Sequence, residues 1–354
     1  MNVKEVMTRQ MITDRFLALL EKAASLSLTD EVAATPKPGL VDRKDSGAHS
    51  DMDYLTFEDS IRAILPFIKE MAGIGASWGD KMSEESPDKA AGCLFKAIRL
   101  SGVKAEKAMF AATGGVNTHK GIIFSMGLAA ASAGFLFCSL LSDDASELSG
   151  KKRCPVSADD ILFYCGKMCR ASMERDFSEI EPGNPKSHGE YLYLKYGIRG
   201  IRGEAADSFP AVRNFGLPAL REFLSRPENG TNCGGGLQNR LSLHILLNLM
   251  ANVDDTNVLF RTDYASLEYV KQCAFSVLLL GGAETPEGIN ELVRLNEDFI
   301  KRNISPGGCA DLLSMTLFLW RLELIIKNAS EEELRKLTVC VHRTFNGEDL
   351  IAYV

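Results

Sequence analysis

Five polar clusters interrupt an otherwise apolar sequence, and their residue types and spacing suit the handling of a phosphorylated ligand. Residues 35–53, TPKPGLVDRKDSGAHSDMD, begin with prolines and a glycine that fix an extended turn, with Lys37 inside it and Asp42, Arg43, His49, Asp51 and Asp53 following closely. The Asp51/Asp53 pair with His49 suits Mg²⁺, which takes one or two protein carboxylates and fills its other positions with water and substrate phosphates. The competing reading is that these carboxylates cap the helix starting near Thr56. Residues 113–121, TGGVNTHKG, run through a Gly-rich turn into a helix start, where free backbone N–H groups with His119 and Lys120 form an anion site, the alternative being a plain capped helix start. The spacing is not that of a Walker A loop. Residues 187–214 supply Arg199, Arg202 and Arg213 among glycines, with His188, Glu190, Glu204 and Asp207. Arginine forks suit a polyphosphate, although ion pairs with the adjacent acids would use the same residues. The fourth cluster, NVDDTN at 252–257, offers Asp254, Asp255 and Asn257, and the fifth, SPGGCAD at 305–311, offers Asp311. Asp254, Asp255 and Asp311 are the residues that could complete a metal site with Asp51 and Asp53.

The rest of the chain must position these clusters. Apolar residues recur at three- and four-residue intervals over 12–28, 56–72, 89–111, 120–142, 158–174, 237–250, 264–280, 287–303 and 310–327, while strand alternation is nearly absent. Gly and Pro punctuate these segments at 37–39, 113–115, 181–185, 230–236, 281 and 305–308. The pattern predicts an all-α protein: a single multi-helix bundle over 1–354, with catalytic loops at helix ends and no linker that divides it. The run 121–142 is uncharged for a length that nominally reaches a membrane span, but its serines and its small residues Gly127, Ala131 and Gly134 at helical spacing mark a core helix that others approach closely. Its counterpart at 311–327 carries Arg321 and Glu323 within its apolar run, as a core helix does. Residues 330–354 form a C-terminal extension to which the sequence assigns no role.

Composition narrows the partners. Forty Lys and Arg against 47 Asp and Glu leave a net charge of −7, which argues against nucleic acid or an anionic membrane as the main partner, since both need a basic face. The N-terminus has no basic and apolar leader pattern. Nine cysteines, an odd number spread through a long chain, suit reduced thiols in a cytoplasmic protein better than a disulfide framework. Cys165 and Cys169 share a helical face without a second pair at zinc spacing, so they read as buried small hydrophobes.

Taken together and in order, KPGLVDR…GAHSDMD, GGVNTHKGIIFSMGL, HGEYLYLKYGIRGIRGEAADSFPAVRN, DDTNVLFR and ISPGGCADLL resemble the triphosphoribosyl-dephospho-CoA synthase family, over about residues 12–325. Asp45, Ser46, Thr262, Asp263 and Cys309 depart from that pattern. The resemblance implies attack of the 2′-hydroxyl of 3′-dephospho-CoA on C1′ of the ATP ribose, with loss of adenine and retention of the triphosphate. It implies ATP and 3′-dephospho-CoA as substrates, Mg²⁺ as cofactor, and a separate transferase that attaches the product to an acyl-carrier subunit of citrate lyase or malonate decarboxylase. An oligomer is compatible with it. Under this reading Asp51 and Asp53, with Asp255, take Mg²⁺ and base duties, and Lys37, Arg43, Lys120, Arg199 and Arg202 hold the phosphates. Asn117, Glu204 and Asn257 join the substrate-binding set, and His49, His119 and His188 are the proton-transfer residues. Two other readings of the same residues are a Mg²⁺-dependent N-glycosidic or ADP-ribose hydrolase, in which water replaces the acceptor hydroxyl, and a non-catalytic CoA- or nucleotide-binding protein.

Overall fold

Short polar side chains set where the helices begin. Ser157 accepts from the Asp160 N–H while the Asp160 carboxylate accepts from the Ser157 N–H, a reciprocal cap, and Asp255, Asp263 and Thr285 cap three later helices. The computed structural model describes residues 3–79, 87–142, 156–226 and 236–327. In chain order they form α1 (Val3–Ala33), α2 (Tyr54–Gly79), α3 (Pro87–Ala112), α4 (Lys120–Ser142), α5 (Ala158–Ser178), α6 (His188–Tyr196), α7 (Gly200–Ala206), α8 (Leu217–Leu224), α9 (Leu237–Asn252), α10 (Thr256–Arg261), α11 (Tyr264–Leu279), α12 (Pro286–Lys301) and α13 (Gly307–Lys327). A π-helical turn, Val212–Gly216, leads into α8. No strand occurs among the described residues. The all-α expectation therefore holds, and the C-terminal extension 330–354 lies outside the described residues.

Two predominantly apolar helices organise the packing. α4 lies along α2 because glycines remove side chains where the backbones meet: a methyl on Gly75 would fall well inside contact distance of Ala131 O, and one on Gly134 inside that of Ala72 O. Of its most apolar window 83% is buried, which makes α4 a core helix although its length and composition would suit a membrane span. α13 packs against α1, α4 and α9. Its Arg321, 5% exposed, donates to Ser27 Oγ at 2.8 Å and pairs with Asp30 on α1, so the charge is buried with partners. One cluster of buried apolar residues runs from Ile12 to Ile326 and touches nearly every helix. Cys165 and Cys169 sit within it, burial raising both thiol pKa values, and Cys165 Sγ lies 3.3 Å from Ser132 Oγ.

One sequence expectation needs correction. Residues 187–214 read as a functional loop, yet most of them lie in α6, α7 and the π-helical turn. Four glycines, at 189, 197, 200 and 203, interrupt any apolar period there, and α6 buries only Leu192, so no stripe betrays it. Gly197 ends α6 in the left-handed conformation, φ 72°, and turns the chain back toward α7.

Candidate active site

The loops and helix ends of four of the five polar clusters, together with α6 and α7, meet around one cavity of about 1330 Å³. That exceeds the ~300–1000 Å³ of an ordinary small-molecule site and suits two nucleotide-sized ligands. The wall is heavily charged. Glu31, Asp51, Glu106, Glu204, Asp207, Asp254, Asp255 and Asp311 line it against Lys37, Lys120, Lys186, Arg199, Arg202 and Arg261, with His49, His119 and His188 between them.

On one side is the loop between α1 and α2. Asp42 folds it by accepting from the Lys37, Lys44 and Asp45 N–H groups. This turns the Lys37 side chain back onto α1, where Nζ donates to Glu31 O at 2.8 Å and to Glu31 Oε1. The pair is buried, Lys37 at 1% and Glu31 at 4% exposure, and burial raises the Glu31 pKa against the opposing pull of Lys37. Arg261 of α10 donates to Ala48 O and Asn303 Oδ1, fixing the loop's far end. There His49 Nε2 lies 2.8 Å from Ser305 Oγ and Nδ1 lies 3.8 Å from the largely exposed Asp51 carboxylate. Burial, then the Arg261 charge, lowers the His49 pKa.

Opposite stand α6 and α7. Arg202 reaches Ser187 Oγ at 3.3 Å and Glu190 Oε1 at 3.6 Å, and Arg199 pairs with Asp207 at 3.0 Å over the Phe177 ring. The ion-pair reading of these arginines is therefore seen, on the cavity wall. Between them Glu204 Oε2 accepts from the Ala211 N–H at 3.0 Å, and Oε1 has no partner among the described residues. Burial, reinforced by the Asp207 charge and opposed by the Ala211 N–H, raises the Glu204 pKa to about 7. Ser208 and Phe209, at φ 65° and 51°, make the sharp turn that brings Ala211 back to Glu204, a conformation non-glycine residues adopt only when the surroundings impose it.

At the floor, Asp255 receives the Asn257 and Val258 N–H groups on Oδ1 and the Cys309 N–H on Oδ2. It caps α10 and ties the start of α13 to it, so both oxygens are occupied. Asp255→Ala should therefore lower unfolding stability by at least about 2 kcal/mol, one helix cap's worth at each end. A thermal or urea midpoint equal to that of the parent would show that the caps carry no stability. Asp311 faces the same floor with no hydrogen bond to its carboxylate among the described residues, and burial, then Glu31 and Asp255, raise its pKa well above the usual value. His119 is buried, with Nδ1 2.6 Å from Ser60 Oγ, and burial and Lys37 depress its pKa to about 3. Lys120 pairs with Glu106 at 3.3 Å, and Asn117 Oδ1 accepts from the Lys120 N–H at 3.2 Å at the start of α4.

Of the expected site residues the structure gathers Lys37, His49, Asp51, Asn117, His119, Lys120, His188, Arg199, Arg202, Glu204, Asp254, Asp255, Asn257 and Asp311 at this cavity. Two stand apart. Asp53 is exposed and outside the lining; its Oδ1 accepts from Thr56 N at 2.8 Å and Thr56 Oγ1 at 2.7 Å, which makes it the α2 cap and lowers its pKa. Arg43 is likewise exposed and outside. Three more are engaged within the protein: Asp254 pairs with Lys271 at 2.5 Å, His188 stacks on Phe260 with ring centroids 3.5 Å apart, and burial with Lys37 depresses the His119 pKa to about 3. No group of three His, Cys, Asp or Glu side chains among the described residues closes into a metal cage. Sequence reasoning missed Glu31, Glu106, Lys186 and Arg261; a single acid inside an amphipathic helix carries no spacing signal, whereas Arg261 lay in the quoted DDTNVLFR motif. The departures Asp45, Ser46, Thr262, Asp263 and Cys309 all lie outside the lining.

An all-helical bundle whose loops enclose a charged cavity of two-nucleotide size is the frame of an enzyme acting on phosphorylated substrates. The chain belongs to the ATP:dephospho-CoA triphosphoribosyl transferase family, whose model matches residues 18–330. It is 37% identical over 319 residues to the probable 2-(5''-triphosphoribosyl)-3'-dephosphocoenzyme-A synthase of Streptococcus mutans, covering 89% of this chain and all of that one. It is 38% identical over 290 residues to the protein of that name from Photobacterium profundum, 82% of each chain. Protein CitXG of Leuconostoc mesenteroides matches at 36% over 304 residues, 85% of this chain but 58% of the longer relative. No solved structure matches. The family places the chain among the transferases, and the hydrolase and binding-protein readings are not favoured.

Proposed function

We propose that the cavity carries out transfer of the triphosphoribosyl group with Glu204 as the general base. The 2′-hydroxyl oxygen of 3′-dephospho-CoA forms the new bond to C1′ of ATP, its proton passes to Glu204 Oε1, and the C1′–N9 electron pair leaves with the base, which takes a proton from water to become adenine. The supporting observation is the Glu204 carboxyl itself, which lines the cavity, keeps one oxygen without a protein partner among the described residues, and has a pKa near 7. A base is most effective when its pKa lies near the working pH, a condition that Asp53, held low by Thr56, does not meet. Lys37, Lys120, Lys186, Arg199 and Arg202 surround the phosphates, the arginines exchanging Asp207, Glu190 and Ser187 for phosphate oxygens. A lower pH limb of kcat near 7 would support this assignment, and a flat profile from pH 5.5 to 8 would oppose it.

The donor set fits a divalent cation arriving with ATP better than a resident one. Lining carboxylates outnumber lysines and arginines eight to six, so a triphosphate needs further positive charge, and Mg²⁺ commonly takes only one or two carboxylates beside phosphate oxygens. Asp51 and Asp311, the carboxylates of the expected metal set that accept no hydrogen bond among the described residues, are its holders in this reading. The ion would neutralise triphosphate oxygens when bound. Chelation should abolish turnover and Mg²⁺ should restore it with the helical circular dichroism unchanged throughout; full turnover in excess chelator would remove magnesium from the account. The reading places the protein in the cytoplasm, its product consumed by a separate transferase acting on an acyl-carrier subunit.

A further inference from the structure

His119 and Ser60 form a device that the reading above does not use. Ser60 is on α2, fully buried, and Thr118 and His119 lie just before α4. Thr118 Oγ1 donates to Ser60 Oγ at 2.6 Å, and Ser60 Oγ lies 2.6 Å from His119 Nδ1. A hydroxyl has one proton to give. With the Thr118 hydroxyl hydrogen already on its oxygen, Ser60 satisfies its own proton only by donating to Nδ1, which must then be the unprotonated nitrogen. Were Nδ1 to carry the proton, Ser60 would receive two donors and its own O–H would be stranded in the core, an arrangement native interiors avoid. A donor chain running from Thr118 to Ser60 to Nδ1 leaves the proton of the neutral ring on Nε2. Phe57 meets the ring edge to face at 5.0 Å, and the His119 backbone N–H donates to Met109 Sδ at 3.2 Å. Lys37 nearby disfavours a second proton on the ring. His119 is 2% exposed and belongs to the cavity wall, yet Nε2 has no hydrogen-bond partner at all among the described residues.

We propose that Ser60 is a positioning residue: relaying the Thr118 hydroxyl to Nδ1, it locks His119 as the Nε2–H tautomer and so presents a neutral, dehydrated N–H to an acceptor on the base–ribose part of ATP. A buried donor without a partner costs free energy in the empty protein, and a substrate acceptor removes that cost. Cations line the cavity for the triphosphate, whereas an uncharged N–H suits a ring nitrogen of adenine, which gains negative charge as the glycosidic bond breaks, as neutral imidazoles do elsewhere. The identity of the acceptor rests on the transferase reading; the tautomer does not.

The experiment is ¹⁵N–¹H correlation of the imidazole nitrogens in full-length protein labelled at histidine, with His119→Gln used for assignment. His119 should give the pure Nε2–H pattern in the free protein, and Ser60→Ala should mix the tautomers and lower kcat about 10- to 100-fold with a smaller change in KM for ATP. ATP should shift the Nε2–H resonance, and inorganic triphosphate should leave it in place. An Nδ1–H pattern in the parent overturns the proposal whatever the activity. An Nε2–H pattern and kcat both unchanged in Ser60→Ala reduce Ser60 to packing, and an equal shift from inorganic triphosphate removes the base–ribose acceptor. Because the tautomer is read without turnover, failure here is separable from failure of the Glu204 assignment, which the pH profile tests.

Discussion

Glu204→Gln is expected to lower kcat by about 10²- to 10⁴-fold, the usual worth of a positioned base, with KM for ATP and dephospho-CoA changed little. Glutamine keeps the size and can still accept from the Ala211 N–H, so the binding walls on α6 and α7 stay in place while the proton acceptor is lost. The parent should lose activity as pH falls through about 7, because burial and Asp207 raise the folded-state carboxyl from 4.5 to about 7, and that limb should vanish in the variant. The sign of the stability effect separates chemistry from folding. A carboxyl whose folded pKa lies above its unfolded one binds more protons in the folded state, so stability falls as pH rises from about 4.5 to 7. Glutamine removes that burden, and the variant should be at least as stable as the parent at pH 8. A kcat within threefold of the parent would assign the base elsewhere; an equal loss of activity and thermal stability would make Glu204 structural.

Gly134→Ala should be among the most damaging single-methyl changes in the molecule. In a free helix the substitution would gain about 1 kcal/mol. Here the new methyl would be driven into the carbonyl oxygen of Ala72 and toward Ala76 N, backbone atoms that no side-chain rotation can move aside. Interiors are close-packed and transmit such strain, so α2 and α4 must separate, reducing contact along much of their length. Overpacking typically costs about 1–3 kcal/mol, with more expected where backbone faces backbone. The clash outweighs propensity, and the thermal midpoint should fall by several degrees. A rise in the midpoint would mean that the helices do not meet as closely as described.

The fold was largely legible because its long helices bury one face against a common core. The period over 120–142 and 310–327 marked α4 and α13, and Gly127 and Gly134 marked the close approach that α4 makes to α2. The short helices α6, α7 and α10 escaped because helices of nine residues or fewer, interrupted by glycine or carrying little buried surface, leave no period to read. The site was legible as a set of clusters rather than as roles. Lys37, Lys120, Arg199 and Arg202 do line one cavity, but a sequence cannot decide between capping and metal binding for Asp53, which Thr56 claims, nor show that helix starts claim both oxygens of Asp255 or that burial lifts Glu204 toward neutrality. Those outcomes depend on which donors and charges meet each carboxylate in space. Glu31 illustrates the same limit, since only the loop folded by Asp42 brings Lys37 onto it.

The most direct measurement is chromatographic detection of adenine released from ATP and Mg²⁺, with and without 3′-dephospho-CoA, and with coenzyme A as an acceptor whose 3′-position is blocked by phosphate. Adenine is expected only when dephospho-CoA is present, in equal amount with a new triphosphoribosylated product. Adenine released at the same rate without the acceptor, accompanied by free ribose triphosphate, would contradict it and make the protein a hydrolase.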